Sequence, residues 1–536
     1  MKTEIKYKNI KTKTEHGGLR GAALCSVFFV GEVNAMNGKV ILGIDVGTTG
    51  LRAGFYRADG TEVGFAVYKL ETARPHPSRA EQNPEDWMTA MRNAVRQAME
   101  RYGIAPEQVV ALSTASTCCS VVVCKKDGTP LRPCILWMDV RAGEQAQRIA
   151  EVTGEHLSAE WMPCKMLWLK ENEPQVFSDA DVICECQDWL TYRLTGLWSV
   201  NVNTACNWGY NADEKGFPAW FYKKLGLEDG MAKFPAEHCY RVGDPIAPLC
   251  PEAAEMLGLT EKTLVAQGGI DSSVGILGMG VCESGHVALM TGSSNLAMLL
   301  TKTQMFGEST INAGPDHLIP GYYTSFRGQL SSNSIIEWYR GKICEAGDDP
   351  GFFDRMEAQA AKIPAGSEGL LVLDYWQGNR HPYYDAGVRG MIYGLSLHHT
   401  RAHLYRAILE GICYGTDNLL EQFRKAGFPV RDVHIAGGTT NSRLFLQIQA
   451  DVSNVRIHLP KDCQSVCVGA AIAAAVAVGI YPDLPAAVRA MVDFSDVIEP
   501  NPERHKIYHR IFEQYCTLYP QLKDWMHTTT RVTGGL

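Results

Sequence analysis

The run Val40-Ile41-Leu42-Gly43-Ile44-Asp45-Val46-Gly47-Thr48-Thr49-Gly50 constrains this chain more than any other stretch. Its apolar, branched first half reads as a buried strand. It ends in an acid, two hydroxyls and two glycines, a turn whose free backbone N–H groups and side-chain donors suit phosphate oxygens. Asp45 suits a hydrated Mg²⁺, which takes one or two carboxylates plus waters. Taken alone, the same residues are equally readable as an ordinary Gly-Thr hairpin turn. The rest of the chain separates the two readings, because the theme recurs. Val287-Ala288-Leu289-Met290-Thr291-Gly292-Ser293-Ser294 is again an apolar strand ending in glycine and hydroxyls, and Leu296 to Leu300 returns from it as a strand. Two such units predict two related α/β domains, each offering one phosphate turn to a shared cleft.

A length of 536 residues is too great for one ordinary core and predicts two or three domains. The formal charge of −8 argues against non-specific nucleic-acid binding. No run reaches the length of a membrane-spanning helix, so neither nucleic acid nor membrane is an expected partner. The 17 cysteines are scattered. Cys118 and Cys119 are adjacent and Cys184 lies one residue from Cys186, neither of which is zinc-finger spacing. They read as reduced, buried thiols of a cytoplasmic protein. Isolated histidines, including His398, His399 and His434, lack ligand spacing and read as structural. A homodimer is allowed for.

Residues 1–36 do not fit the globular pattern. Lys2, Lys6, Lys8, Lys11 and Lys13 precede a short apolar stretch, an imitation of a signal peptide without its cleavage site. Met36 stands just before the organising strand and reads as an alternative start. From Val40 the pattern is a strand meander, Leu51 to Tyr56 and Val63 to Tyr68, and not the strand-to-helix step of a P-loop; no G-x-x-x-x-G-K-[ST] occurs. Asn83-Pro84-Glu85-Asp86 opens a helix with a cap, a proline at its first position and acids in its first turn. Trp87, Met91, Val95 and Met99 continue it at helical spacing. The glycine-flanked segment Val281 to Gly285 marks the boundary between a first domain, 37–284, and a second, 285–530.

Four glycine-rich turns then stand in order: Asp45 to Gly50, Gly268 to Ser273, Thr291 to Asn295 and Ala436 to Asn441. With the Trp137-Met138-Asp139-x-Arg141 and Gln187-Asp188-Trp189 segments between them, they closely resemble the FGGY carbohydrate kinases over Val40 to Met526. The resemblance implies two related domains of the actin/Hsp70/sugar-kinase type, ribonuclease H-like, with a cleft between them. It implies ATP and Mg²⁺ as cofactors. Asp45, Gly47, Thr48 and Thr49 are similar to the first phosphate turn, with Asp45 holding the metal through water. Thr291, Gly292 and Ser293 are similar to the second, and Gly437, Gly438 and Asn441 to the adenosine turn. Asp271, in Gly-Gly-x-Asp, resembles the catalytic base. Phosphoryl transfer needs mainly positioning and charge neutralisation, and a carboxylate at the attacking hydroxyl takes its proton. The alternative for Asp271 is an N-cap on the following helix.

For the sugar, the resemblance implies Thr117, Cys118, Asp139, Lys165 and Asp188, with Asp271 at the reacting hydroxyl. The Met-His pair of xylulokinases is replaced here by Thr117-Cys118, and the Arg-Glu pair of glycerol kinases is absent. The segment Ser116-Thr117-Cys118-Cys119-Ser120 looks more like that of ribulokinases. For Lys165 and Asp188 a surface ion pair and a helix cap weigh equally. Gln377, Asn379 and Arg380 form a loop able to close over the site from the second domain. The expected activity is ATP-dependent phosphorylation of a ketopentose, ribulokinase-like, with xylulokinase, erythritol kinase and a branched-pentulose kinase as alternatives. A different class, an ATP-binding sugar sensor or switch of the same superfold, has no need of the Gly-Gly-x-Asp271 turn beside a polar pocket. A Rossmann dehydrogenase is excluded, since no strand-linked G-x-G-x-x-G is present.

Overall fold

The computed structural model describes residues 38–211, 215–305 and 317–533; the expected extension, 1–36, lies outside them. Strand β1, Val40–Val46, is buried at all seven positions. An unbroken apolar run is what a strand covered on both faces requires. It pairs antiparallel with β2, Gly50–Tyr56, which pairs antiparallel with β3, Glu62–Lys69. Helix α1, Pro84–Tyr102, follows. Asn83 caps it by accepting from the Glu85 amide, and its chain leaves through Gly103 at φ 66°, a left-handed position glycine takes without strain. Strand β4, Val109–Ser116, lies parallel to β1. Strand β5, Pro245–Pro248, and β6, Leu264–Ile270, complete a sheet of order β5-β6-β4-β1-β2-β3.

Between β4 and β5 the chain builds an accessory layer. Helix α2, Cys186–Thr195, packs there beside a small sheet of Glu81–Gln82, Cys134–Ile135, Val121–Cys124 and Val182–Glu185. Helix α3, Asp271–Gly278, starts directly where β6 ends.

The second sheet repeats the first. Strands β7, His286–Thr291, β8, Asn295–Thr301, β9, Tyr323–Gln329, β10, Asp432–Gly437, β11, Arg456–Pro460, and β12, Phe494–Ile498, run in the order β9-β8-β7-β10-β11-β12. From the β9 side the pairings are antiparallel, antiparallel, parallel, parallel, antiparallel, the same succession as from β3 in the first sheet. The departure is at the far edge, where the antiparallel strand precedes its neighbour in the first domain and follows it in the second. Helices α4, Arg401–Lys425, and α5, Arg443–Ser453, cover this sheet, whereas α6, Ser465–Ala477, lies against the strands of the first. Apolar spacing along the sequence predicts helices at 403–423, 444–452 and 470–478, and all three are present. The last begins five residues earlier, because Ser465 to Gly469 lacks the polar face that marks a surface helix.

One apolar core spans both sheets. Ile41, Ala111 and Ala266 of the first, Ala288 and Met298 of the second, and Val274, Leu277, Cys467 and Ala471 between them belong to a single buried cluster. Helices α3 and α6 occupy equivalent places in the two repeats and meet at backbone distance. A β-carbon on Gly278 would lie 1.8 Å from the Ser465 carbonyl, and one on Gly469 2.0 Å from the Val274 carbonyl. On the first sheet itself, Gly43 admits α6 so closely that a β-carbon would stand 1.9 Å from the Cys467 carbonyl.

An exposed helical Gly→Ala exchange ordinarily gains about 1 kcal/mol. Gly469→Ala is expected to lower the unfolding midpoint instead, with an overpacking cost on the order of 1–3 kcal/mol. Calorimetric unfolding reads the sign, and a raised midpoint would contradict the contact between the two helices.

Candidate active site

The register of the first sheet brings three expected site segments together. Val46 is opposite Ser116 across β1 and β4, and Ser116 is opposite Ile270 across β4 and β6. The Gly47 turn, Thr117-Cys118 and Asp271 therefore leave the sheet side by side at the carboxyl ends of parallel strands, where open α/β sheets place their ligands. Strand β6 reaches this point through a bulge, with an extra residue between the Ala266–Ser113 and Gly269–Ala115 pairs that bends the strand locally. Gly268 sits in it against β4, where a β-carbon would lie 1.7 Å from the Thr114 carbonyl. Two residues not foreseen from sequence hold the bulge: Asn201 Nδ2 donates to the Gly268 carbonyl, and Asn203 Oδ1 accepts from the Ile270 amide at 2.8 Å.

Asp271 is the first residue of α3; Ile270, with no side-chain bond, is its cap. Asp271 Oδ1 accepts from the Ser272 amide at 2.6 Å. Burial, reinforced by the nearby charge of Asp45, pushes its carboxyl up to about 7 against the weaker pull of that amide bond and of Arg52. Asp45 is itself raised by burial, opposed by Arg52, whose Nη1 donates to Asp45 Oδ2 at 2.8 Å. Two carboxylates and one guanidinium thus share a poorly hydrated corner. Neighbouring like charges disfavour double ionisation, and a cation offsets that.

The turn after β1 is closed by the Gly47 amide donating to the Gly50 carbonyl at 3.1 Å. Gln82 Nε2 donates to the Thr48 carbonyl at 2.7 Å, while Gln82 Oε1 accepts from Trp87 Nε1. Trp137 Nε1 reaches the Thr48 hydroxyl at 3.0 Å. Thr49 faces outward. In the second sheet Thr291 stands opposite Gly437, so the second phosphate turn and the adenosine turn are neighbours at the ends of β7 and β10. The Thr291 hydroxyl donates to the Ala436 carbonyl at 3.0 Å and accepts from Thr439 Oγ1 at 2.7 Å. Gly437 has φ 110°, and a β-carbon there would lie 1.9 Å from the Thr291 carbonyl; only glycine fits. Gly437, Gly438 and Asn441 are exposed, as is Ser293, with Gly292 half-buried beside it. A β-carbon on Gly275 of α3 would stand 3.5 Å from the Met290 methyl group, which puts the helix of Asp271 next to the strand that ends at Thr291.

The expected sugar residues divide. The Thr117 hydroxyl pairs with Ser120 Oγ at 2.8 Å, and Cys118 is half-buried. Asp139 is buried, and its oxygens accept from the Ala80 amide and from the Arg141 amide, Nε and Nη2 at 2.7–3.0 Å. Asp188 is likewise spent on backbone, accepting from the Glu185 and Asn201 amides at 3.2 and 2.9 Å. Lys165 is buried and donates to the Cys119 and Leu136 carbonyls, both at 2.7 Å. An acid or lysine near a cleft looks the same in sequence whether it faces ligand or folds back on its own loop. All three brace the wall from behind. Glu185, unforeseen, joins them: it accepts from the Cys119 amide at 2.8 Å and from Trp208 Nε1 at 2.6 Å, and burial pushes its carboxyl up to about 8. It fixes Cys119 in a left-handed conformation, φ 56°. Gln377 is exposed, Asn379 accepts from the Tyr383 amide, and Arg380 lies over the Phe326 ring of β9.

Two repeats thus bring one glycine-and-hydroxyl turn each to the strand ends, with a half-buried acid, Asp271, between them. Residues 40–278 match the N-terminal domain, and residues 287–478 the C-terminal domain, of the FGGY family of carbohydrate kinases. The chain is 28% identical over 493 residues to a xylulose kinase of Staphylococcus epidermidis, covering 91% of this chain and 97% of that one. It is 28% identical over 568 residues to a ribulokinase of Anoxybacillus flavithermus, covering 94% and 100%. Its fold superposes on a gluconate kinase from Lactobacillus acidophilus with a TM-score of 0.80 at 24% identity, covering 90% and 98%. The chain belongs to the FGGY family of carbohydrate kinases, and its reaction is the ATP-dependent phosphorylation of a sugar.

If Asp271 takes a proton in that reaction, it must be ionised beforehand. Its raised pKa means that kcat/KM should fall as pH drops through about 7 and level off above it. A profile flat down to pH 5 would remove Asp271 from the role.

Proposed function

We propose that the sugar is a ketopentose, phosphorylated on a primary hydroxyl in the manner of a ribulokinase. The observation that carries the mechanism is the placement of Asp271, raised to about 7, beside Asp45 and Arg52 at the strand ends, next to the Thr117–Cys118 wall. The sugar lies against that wall in the first domain, 37–284, and the adenosine against Gly437, Gly438 and Asn441 in the second, 285–530. The phosphates lie between Gly47, Thr48 and Thr49 on one side and Thr291, Gly292 and Ser293 on the other. The sugar hydroxyl gives its proton to an Asp271 oxygen as its own oxygen forms the bond to the γ-phosphorus, and ADP leaves with the bridging oxygen. Closure of the domains about the segment Val281 to Gly285 would keep water from that phosphorus.

The residues present fit a hydrated Mg²⁺ as well. Asp45 Oδ2 is bound by Arg52, and among the described residues Oδ1 has no hydrogen-bond partner, which leaves one carboxylate oxygen for a water of the metal. When bound there, Mg²⁺ would neutralise phosphate charge. Arg52 favours the ionised form of Asp45 against the rise that burial imposes.

Support for a ketopentose is the pair of names borne by the relatives, xylulose kinase and ribulokinase, together with the Thr-Cys-Cys-Ser segment standing where xylulokinases carry Met-His. A xylulokinase is the second reading, favoured by the first of those relatives. That every described cysteine is free, and that no helix among the described residues is long and apolar enough to cross a membrane, accords with a cytoplasmic place of action.

Asp271→Asn should lower turnover by on the order of 10²- to 10⁴-fold with ATP binding retained, the scale of general-base loss. Its fold is checked by linkage. A carboxyl raised from 3.8 to about 7 costs stability progressively as pH rises through that window, because the unfolded chain releases the proton more readily. The Asn variant should therefore unfold at no lower temperature than the parent at pH 8. Near-normal turnover in a folded variant would sink the assignment of the base.

ADP release measured across ribulose, xylulose, ribose, erythritol and fructose should be greatest with ribulose. Thr117→Leu should reorder that ranking while leaving the KM for ATP within about twofold; an apolar pocket change of this size is worth about 1–3 kcal/mol. An unchanged ranking would show the sugar to lie elsewhere. Binding of sugar and ATP without ADP release on any member of the panel would favour a sensor.

A further inference from the structure

Far from the strand ends, the turn after residue 366 folds over the start of α4. Glu368 Oε2 lies 2.6 Å from His398 Nε2 and 3.2 Å from His403 Nε2. The three ligand atoms are all within 4.8 Å of one another. His399 is engaged elsewhere. Its Nδ1 accepts from the Ser396 amide at 2.9 Å, and its Nε2 is 3.3 Å from the Glu368 carbonyl, so it holds the loop rather than pointing at the cluster. The Glu368 turn is anchored to the same helix as His403. The Gly366 amide and the Ser367 hydroxyl both donate to Glu410, at 3.1 and 2.8 Å. Glu410 is buried and also accepts from Arg406 Nε at 2.8 Å and Tyr508 OH at 2.9 Å. Two of the three groups are thereby fixed to one rigid element, which is the preorganisation a metal site needs.

We propose that Glu368, His398 and His403 bind a divalent cation of the zinc class, distinct from any cation at the phosphates. Two imidazoles and a carboxylate suit zinc, cobalt or nickel and are poor ligands for magnesium. Three protein ligands leave one position of a tetrahedron for water. Bond lengths of about 2.0–2.1 Å set tetrahedral ligand atoms roughly 3.3 Å apart, close to the 3.2 Å between Glu368 and His403 and inside the 4.8 Å that bounds all three ligand atoms. Small rotations of His398, whose side chain is 71% exposed, close the site. His403 is held at its other nitrogen: Nδ1 accepts from the Thr400 amide at 3.2 Å and lies 2.9 Å from the Thr400 hydroxyl, which turns Nε2 toward Glu368; when Nε2 takes the metal, the Nδ1 proton passes to that hydroxyl in place of the amide bond. The cation pins the Glu368 turn to the first turn of α4. Further along that helix, Thr416 accepts from Asn295 Nδ2 at 3.1 Å, at the base of the second phosphate turn. The site acts on the stability of the second domain and touches no reacting atom.

The test uses the full chain with Cys463, an exposed thiol, replaced by serine, in buffer containing Mg²⁺. Co²⁺ is titrated by calorimetry and visible absorption, and Zn²⁺ by its effect on the unfolding midpoint. The parent should bind one Co²⁺ that His398→Ala binds more than about 100-fold more weakly, since loss of an outer-shell partner alone costs about 10- to 100-fold. Glu368→Gln should weaken binding as well. Zn²⁺ should raise the midpoint of the parent and not of His398→Ala. Both variants should keep the parent's midpoint in the absence of added zinc-class metal and its sugar-dependent ADP release with Mg²⁺ and ATP. Equal Co²⁺ affinity in parent and His398→Ala, or no Co²⁺ binding by the parent, would overturn the proposal.

Discussion

Everything in this molecule depends on two helices that touch backbone to backbone. Gly278 of α3 meets Ser465, and Gly469 of α6 meets Val274, at distances no β-carbon could occupy. Because α3 and α6 are equivalent elements of the two repeats, their contact makes a near-symmetric joint. Because α3 follows β6 without a loop, and β7 ends within reach of Gly275, the same joint sets the two glycine-and-hydroxyl turns proposed to hold the phosphates beside one acid. Larger side chains would push the sheets apart and open the space the triphosphate must bridge. The small residues of α6 are therefore a packing requirement that becomes a functional one.

The acid corner is a balance of three charges. Burial raises both Asp45 and Asp271, and the charge of Asp45 raises Asp271 further. Arg52, on the strand paired with β1, offsets this for Asp45, to which it is bound directly, more than for Asp271. The result is two carboxylates with different roles. Arg52 favours the ionised form of Asp45 against the burial that raises it, while Asp271 is raised to about 7, close to the pH at which such a group can exchange a proton. The bulge at Gly268, held by Asn201 and Asn203, sets the angle at which Asp271 enters.

What could be read from the residues was whatever chemistry is written locally. The Asp45 to Gly50 turn, its echo at Thr291 to Ser293 and the Gly437-Gly438 pair could be found because glycines and hydroxyls must occupy fixed offsets from the end of a strand. The cap and apolar stripe of α1 were legible for the same reason. Arg52, Asn201, Asn203, Gln82 and Glu185 were not, since each acts on a partner remote in sequence or across a strand pair, and no spacing announces it. Asp139, Lys165 and Asp188 show a different limit. Their neighbourhoods were recognisable, but the direction of each side chain is decided by competition between solvent, ligand and nearby amides. In each case the amides, carbonyls or Arg141 won, because a buried charge left without partners is costly.

The sequence by itself determined that the chain repeats a strand-and-phosphate-turn unit, that the repeat makes an α/β protein, and that its turns suit a nucleotide; hydrophobic runs and glycine positions are enough for that. Tertiary structure alone decided which acids face the cleft and which carboxyl is raised, because a pKa depends on burial and on charges brought near by folding. It also decided that His398, read in the sequence as structural, and His403 stand together at Glu368. A ligand set is a matter of distance in space, and here a turn folded across a helix end supplies it.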